Sequence, residues 1–139
     1  KHIFYKLFSK GVKIMRKQYH FRQICQDTYI WDVDDLIQLS ATFQTKEINL
    51  SEIKELLEPY WYPNSSPTTQ EIIEHMQLVQ AADLTYPIIL CSQGRVMDGM
   101  HRVAKAKLRG QDKIDAVQFE NDPAPHFVNV NADDLIYDD

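Results

Sequence analysis

Two cysteines, four glycines and six prolines are few for 139 residues, and each shortage removes something. Cys25 and Cys91 stand far apart and in no ligand-like spacing. They suggest neither a disulfide framework nor a zinc knuckle, so a reduced, cytoplasmic setting is expected. No GxxxxGK[ST], GxGxxG or GxSxG stretch occurs, which excludes the standard nucleotide loops and the hydrolase elbow. His75 and His101 belong to no HExxH pattern. No apolar run approaches the roughly 20 residues needed to span a bilayer, so no membrane role is expected. Linker-like Gly/Ser or Pro-rich stretches and internal repeats are also missing.

What is present is ordinary for a globular chain, with 44% hydrophobic and 25% charged residues. The length suits one domain with a real core and is short for two. Charge is unevenly spread. Residues 1–22 carry seven bases (Lys1, Lys6, Lys10, Lys13, Arg16, Lys17 and Arg22) and no acid. The remainder holds eight bases against twenty acids, a body that repels nucleic-acid backbones. Residues 1–22 therefore read as a basic N-terminal extension, expected to be functionally silent, ahead of one domain over 23–139. No small-residue cleavage site marks the head as a secretory signal.

Periodicity and breakers give a coarse outline. Asp34 to Ser40 reads as a short helix, and Glu47 to Leu50 as a brief strand. Ser51 is expected to cap a helix with Ile53, Leu56 and Leu57 on one face, ending before Pro59. An aromatic loop, Tyr60 to Pro67, comes next. Thr68 and Glu71 form a capping box for a helix with Ile72, Met76 and Val79 on its apolar stripe. Pro87 to Cys91, a turn at Ser92-Gln93-Gly94 and the strand 95–97 form a hairpin. A helix from His101 to Arg109 stops at Gly110, and Ile114 to Phe119 is a strand. The tail, with Pro123 and Pro125, is expected to be irregular. The class is α+β, a small mixed sheet flanked by helices.

The chemistry gathers at Asp98-Gly99-Met100-His101-Arg102, a turn that opens a helix. Free N–H groups of Gly99, Met100 and His101 and the positive end of the helix dipole favour an anion there. Arg102 is suited to gripping phosphate oxygens, and Asp98 to a metal or proton role. The competing reading, of equal weight on physics alone, is that Asp98 caps the helix and pairs with Arg102. Lys105 and Arg109 share the face of Arg102. His75, at the edge of an apolar stripe, is either a packed structural histidine or a catalytic partner. Thr68 and Thr69, with Ser65 and Ser66, sit at another helix start and offer a second set of phosphate contacts, with plain capping as the favoured rival. Tyr60, Trp61 and Tyr62 could stack on a base or a ring-shaped substrate, or cover the core. A catalytic metal would need scattered carboxylates such as Asp98, Glu71 and Asp83.

The box Asp98-Gly99-Met100-His101-Arg102, behind an apolar strand and leading into Val103-Ala104-Lys105-Ala106, resembles the D-G-x-H-R signature of the ParB/sulfiredoxin superfamily. Ile48-Asn49-Leu50, and Ala82-Asp83-Leu84 before Pro87 to Leu90, extend the likeness over about residues 47–119. The chain looks most like small stand-alone ParB-like proteins. The resemblance implies that the box receives the phosphates of a nucleotide (ATP, ADP or CTP), with Mg²⁺ as an optional companion. Sulfiredoxins carry their catalytic cysteine where this chain has Met100, and a thioether cannot replace a thiolate. The roughly 30 residues after Gly110 are expected to be too few for the helix-turn-helix module of partitioning proteins. Free-serine kinases of the superfamily use a similar box with a carboxylate base, which cannot be placed here.

The expected function is binding of a small phosphate-containing ligand, with phosphoryl transfer or phosphate-ester hydrolysis as the chemistry if the protein is an enzyme. Asp98, His101 and His75 would be catalytic, and Gly99, Met100, His101, Arg102, Thr68 and Thr69 would hold phosphate. Trp61 and Tyr60 would stack on the substrate. The alternative is a non-catalytic sensing or docking module with the same pocket. Nucleic acid is a disfavoured partner, nuclease activity is the weakest reading, and a homo-oligomer is left open.

Overall fold

A computed structural model describes residues 5–7, 13–15 and 17–137. The mixed α+β class is as expected. Contacts within the chain group it into a terminal unit, residues 1–41 with 123–139, and a central unit, residues 42–122.

In the terminal unit, β1 (Tyr5–Leu7) pairs antiparallel with β2 (Lys13–Met15). The rest of the basic head lies outside the described residues, apart from Lys17 to Arg22. A second sheet runs β3 (Tyr19–Ile24), β4 (Asp27–Asp32) and β9 (Phe127–Val128), all antiparallel neighbours. Residue 22 sits inside the paired strand β3. The tail was expected to be irregular, yet it supplies β9, because the chain beyond Pro125 still has edge positions of β4 to pair with. Asp32 caps α1 (Val33–Ser40), its side chain accepting from the Asp34 N–H at 3.0 Å. Lys17 Nζ bridges Asp32 at 2.8 Å and Asp34 at 3.0 Å. Those two hydrogen bonds, Asp32 first, push the lysine pKa up.

The central unit is a four-stranded sheet in the order β5 (Lys46–Asn49), β8 (Lys113–Gln118), β6 (Ile88–Leu90), β7 (Val96–Asp98). β6 and β8 are parallel, and the other pairs are antiparallel. Helices α2 (Thr69–Ala81) and α3 (Met100–Leu108) complete it. The core joins Ile88, Leu90 and Val96 of the sheet to Met100, Val103 and Ala106 of α3, with Ile114 and Ala116 from β8. Ile88, Val103, Ala106 and Ala116 are fully buried. Gly110, with φ at +75°, stops the α3 segment as a left-handed C-terminal residue.

Two expectations about packing are corrected. The helix expected over 51–57 is a pair of 3₁₀ turns, Leu50–Glu52 and Lys54–Leu57. Ile53 breaks it, extended at φ −88° and ψ 100°, because its side chain is drawn into the core at 2% exposure. The expected face holds at Ile53 and at the half-buried Leu56 but fails at the next residue. Leu57 is 94% exposed while Glu55 is 2% exposed, its carboxylate accepting from the Val96 N–H at 2.6 Å. The stripe expected on α2 is likewise mostly outside. Ile72, Ile73 and Met76 are exposed, and only Val79 of that helix is buried.

Candidate functional site

The box forms as its sequence suggests. β7 ends at Asp98, Gly99 is the N-cap residue of α3, and Met100 begins the helix. Gly99 sits at φ +109°, a conformation that side-chain-bearing residues rarely adopt. A β-carbon there would lie 2.7 Å from Arg102 Nη2, 3.0 Å from its Nε and 2.7 Å from Ile88 Cγ2. Glycine thus lets the guanidinium fold back across the helix start. There Arg102 Nη2 donates to Asp98 Oδ2 at 2.9 Å, with both side chains largely buried. The pairing expected on physics is present. It leaves Arg102 Nε buried with no hydrogen-bond partner. The first helical bond runs from Val103 N to Gly99 O at 3.0 Å, so the earlier N–H groups of the turn have no partner inside the helix.

His101 turns the other way, toward α2. It is 4% exposed, and its Nε2 lies 2.9 Å from Nδ1 of His75. The ring centroids are 5.1 Å apart and the planes 15° apart. At that N···N distance the imidazoles lie edge to edge in nearly one plane, joined by one N–H···N bond. Trp61 covers both rings, 4.6 Å from His75 at 24° and 4.7 Å from His101 at 17°. Tyr62 meets His75 edge-on at 5.3 Å, and Tyr60 meets Trp61 in the same way at 6.2 Å. The indole Nε1 is buried with no hydrogen-bond partner. Two orphaned N–H donors, on Trp61 and Arg102, thus belong to this cluster, and both call for an acceptor.

Lys105 locks the two helices together, donating to Gln80 O at 2.8 Å and Ala82 O at 2.6 Å at the end of α2. Asp83 follows in the turn, accepting from the Thr85 N–H at 2.9 Å and hydroxyl at 2.7 Å. Those bonds hold its carboxyl below the usual range, helped by the charges of Lys105 and Arg102. Tyr62 is shifted up, by burial first and then by Glu71 and Glu74.

Of the residues singled out in the sequence, the fold brings together Trp61, Tyr60, His75 and His101 directly. Asp98, Gly99, Met100 and Arg102 adjoin them through the box. Met100 is 5% exposed, its side chain part of the core. Thr68 and Thr69 are not gathered in. They lie about 10 Å from His75 along the α2 axis, two turns away. Thr68 Oγ1 accepts from the Glu71 N–H at 3.2 Å and Glu71 Oε1 accepts from the Thr68 N–H at 3.0 Å, the capping box read from sequence. Tyr62 is legible with its aromatic neighbours, whereas the buried Glu55 carries no sequence signal for the place it takes. Among the described residues no three His, Cys, Asp or Glu side chains gather as a metal-binding group, and no helix is long and apolar enough to cross a membrane. Asp98 is the carboxylate of the box itself, and Arg102 already holds it.

Comparison with known proteins finds a likeness over about half of the chain. A stretch of 68 residues, 48% of this chain, is 35% identical to the transcriptional regulator NovG of Streptomyces niveus. The stretch spans only 21% of that regulator's length. No family model matches the chain, and no solved structure does.

Proposed function

We propose that the central unit binds a small phosphate-bearing ligand, a nucleotide in the first instance, at the start of α3. The supporting observation is the guanidinium of Arg102, drawn over Gly99 onto the first turn of the helix with its Nε buried and unpartnered. A cation on the positive end of a helix is unfavourable unless an anion balances it. One carboxylate, Asp98, meets that need in part. Phosphate oxygens at this place would accept from Arg102 and from the first N–H groups of α3. Were Mg²⁺ to accompany the nucleotide, Asp98 is the box carboxylate able to reach it, with phosphate oxygens completing the shell. The resemblance of the box to ParB/sulfiredoxin domains supports the same reading.

A second reading keeps the pocket and drops the chemistry. The likeness to part of a transcriptional regulator favours a module that senses a ligand or docks a partner without turnover. Both readings meet the same experiment. A thermal-shift screen of nucleotides with Mg²⁺ is run on the protein and on Arg102→Ala. Ligand at a hundred times its Kd adds about 2.7 kcal/mol of stability. A shift abolished by Arg102→Ala supports the site, and an unchanged shift moves the site elsewhere. No shift with any phosphate compound removes the proposal. Product analysis of the stabilising nucleotide then separates an enzyme from a sensor.

A further inference from the structure

His75 comes from α2 and His101 from α3, and they are bonded directly through Nδ1 and Nε2 under one indole. That contact fixes their proton count. One of the two facing nitrogens must carry a hydrogen and the other a lone pair, so both cannot be protonated while the bond stands. The joined pair can therefore gain one further proton and no more. In the free protein that extra charge is opposed three times over: His101 is buried, it stands in the first turn of α3, and it adjoins Arg102. A doubly charged anion on Arg102 would reverse the balance.

Resting on the phosphate-binding reading, we infer that the site selects a terminal, dianionic phosphate, whose second negative charge is met by one proton taken up on the His75–His101 pair. The guanidinium of Arg102, shared with Asp98, supplies the fixed cation, and the histidine pair supplies a movable charge. Other groups surround the pair. Tyr60 and Tyr62 belong to the loop, and Glu71 and Glu74 to α2. Asp98, Arg102 and Lys105 stand on the box and α3, and Asp83 in the turn between the helices. From β6 and β8, Ile88, Leu90, Ile114 and Ala116 share the apolar core with α3. Among these, histidine is the residue type whose charge changes near neutral pH, so the proton is assigned to the pair.

Inorganic sulfate is the probe, because it stays dianionic where phosphate itself titrates. Calorimetry of sulfate binding to the full chain, in two buffers of different ionisation enthalpy, reads proton uptake directly. The expected result is uptake approaching one proton, with affinity rising up to about tenfold for each unit fall in pH. Histidine ring ¹⁵N shifts should show one imidazolium, and not two, shared by His75 and His101 on saturation. His75→Gln should bind sulfate with no uptake. Arg102-dependent sulfate binding without uptake in the native chain overturns this inference and leaves the phosphate site standing. Uptake that persists in His75→Gln overturns it as well. Absence of binding by sulfate and by every nucleotide removes both.

Discussion

The guanidinium of Arg102 lies against the α-carbon of Gly99, so close that a methyl group there would stand 2.7 Å from Nη2. Glycine at this position serves two ends, a left-handed backbone and a passage for the arginine. Gly99→Ala is expected to cost about 1–3 kcal/mol from the backbone alone. In a chain of this size each kcal/mol lowers Tm by roughly 3–4 °C. The variant should also lose its response to phosphate ligands. A Gly99→Ala protein that melts and responds like the native one would remove the close approach from the argument.

Glu55 invites a sharper test. Its Oε2 accepts the buried Val96 N–H and lies 3.5 Å from Arg95 Nε, while Arg95 grips Glu58 with two further bonds. Glu55→Ala should cost about 2–4 kcal/mol, from the orphaned N–H and the space left behind. Glu55→Gln keeps an oxygen for Val96 and should lose much less. Urea unfolding of the two variants measures the difference. Equal losses would mean that side-chain volume, and not the hydrogen bond, holds the turn.

Thr68→Ala should weaken α2 by about 1 kcal/mol, and Thr68→Ser should restore most of it. Because the residue lies two turns from His75, neither variant is expected to alter ligand affinity. Paired melts and binding curves check this. A specific affinity loss in Thr68→Ala, recovered in Thr68→Ser, would bring the start of α2 into the site.

Glu58 governs part of the acid response. Its hydrogen bonds to Arg95 hold its carboxyl below the ordinary 4.5. A lowered folded-state pKa means the contribution is complete above the unfolded value and disappears as pH falls through the folded one. Glu58→Gln should therefore lower stability slightly at neutral pH and flatten the loss below about pH 5. The effect is small because the pair is solvent-exposed. Superimposable acid limbs for the two proteins would assign acid sensitivity to other carboxylates.

What the sequence revealed was local. Thr68 and Glu71 are three residues apart, and their reciprocal bonds need nothing beyond that stretch. The strand, turn and helix around Gly94 and Gly99 are legible for the same reason. The β3–β4 hairpin was not, because its two-residue turn is Cys25-Gln26, with Cys25 at φ +56° and none of the usual Asn or Gly signals. Residues 51–57 misled because Ile53, Leu56 and Leu57 fit a helical period. The core took Ile53 by extending the backbone and left Leu57 in solvent. In the site, Asp98 and Arg102 are one helical turn apart and readable. His75 and His101 are 26 positions apart, and only the docking of α2 on α3 joins them.

The central unit also bears on the order in which the chain folds. In the terminal unit, Thr28 bonds Asn129 across 101 positions, a loop expensive to close through unfolded chain. Within the central unit, Phe43 and Phe119 meet edge to face at 5.0 Å, near its first and last residues. Once formed, that unit brings its own ends together and turns the long loop into a short one. Amide protection in β5, β6 and β8 should accordingly precede protection at the β4–β9 pairing in pulse-labelled hydrogen exchange, and the reverse order would exclude this route.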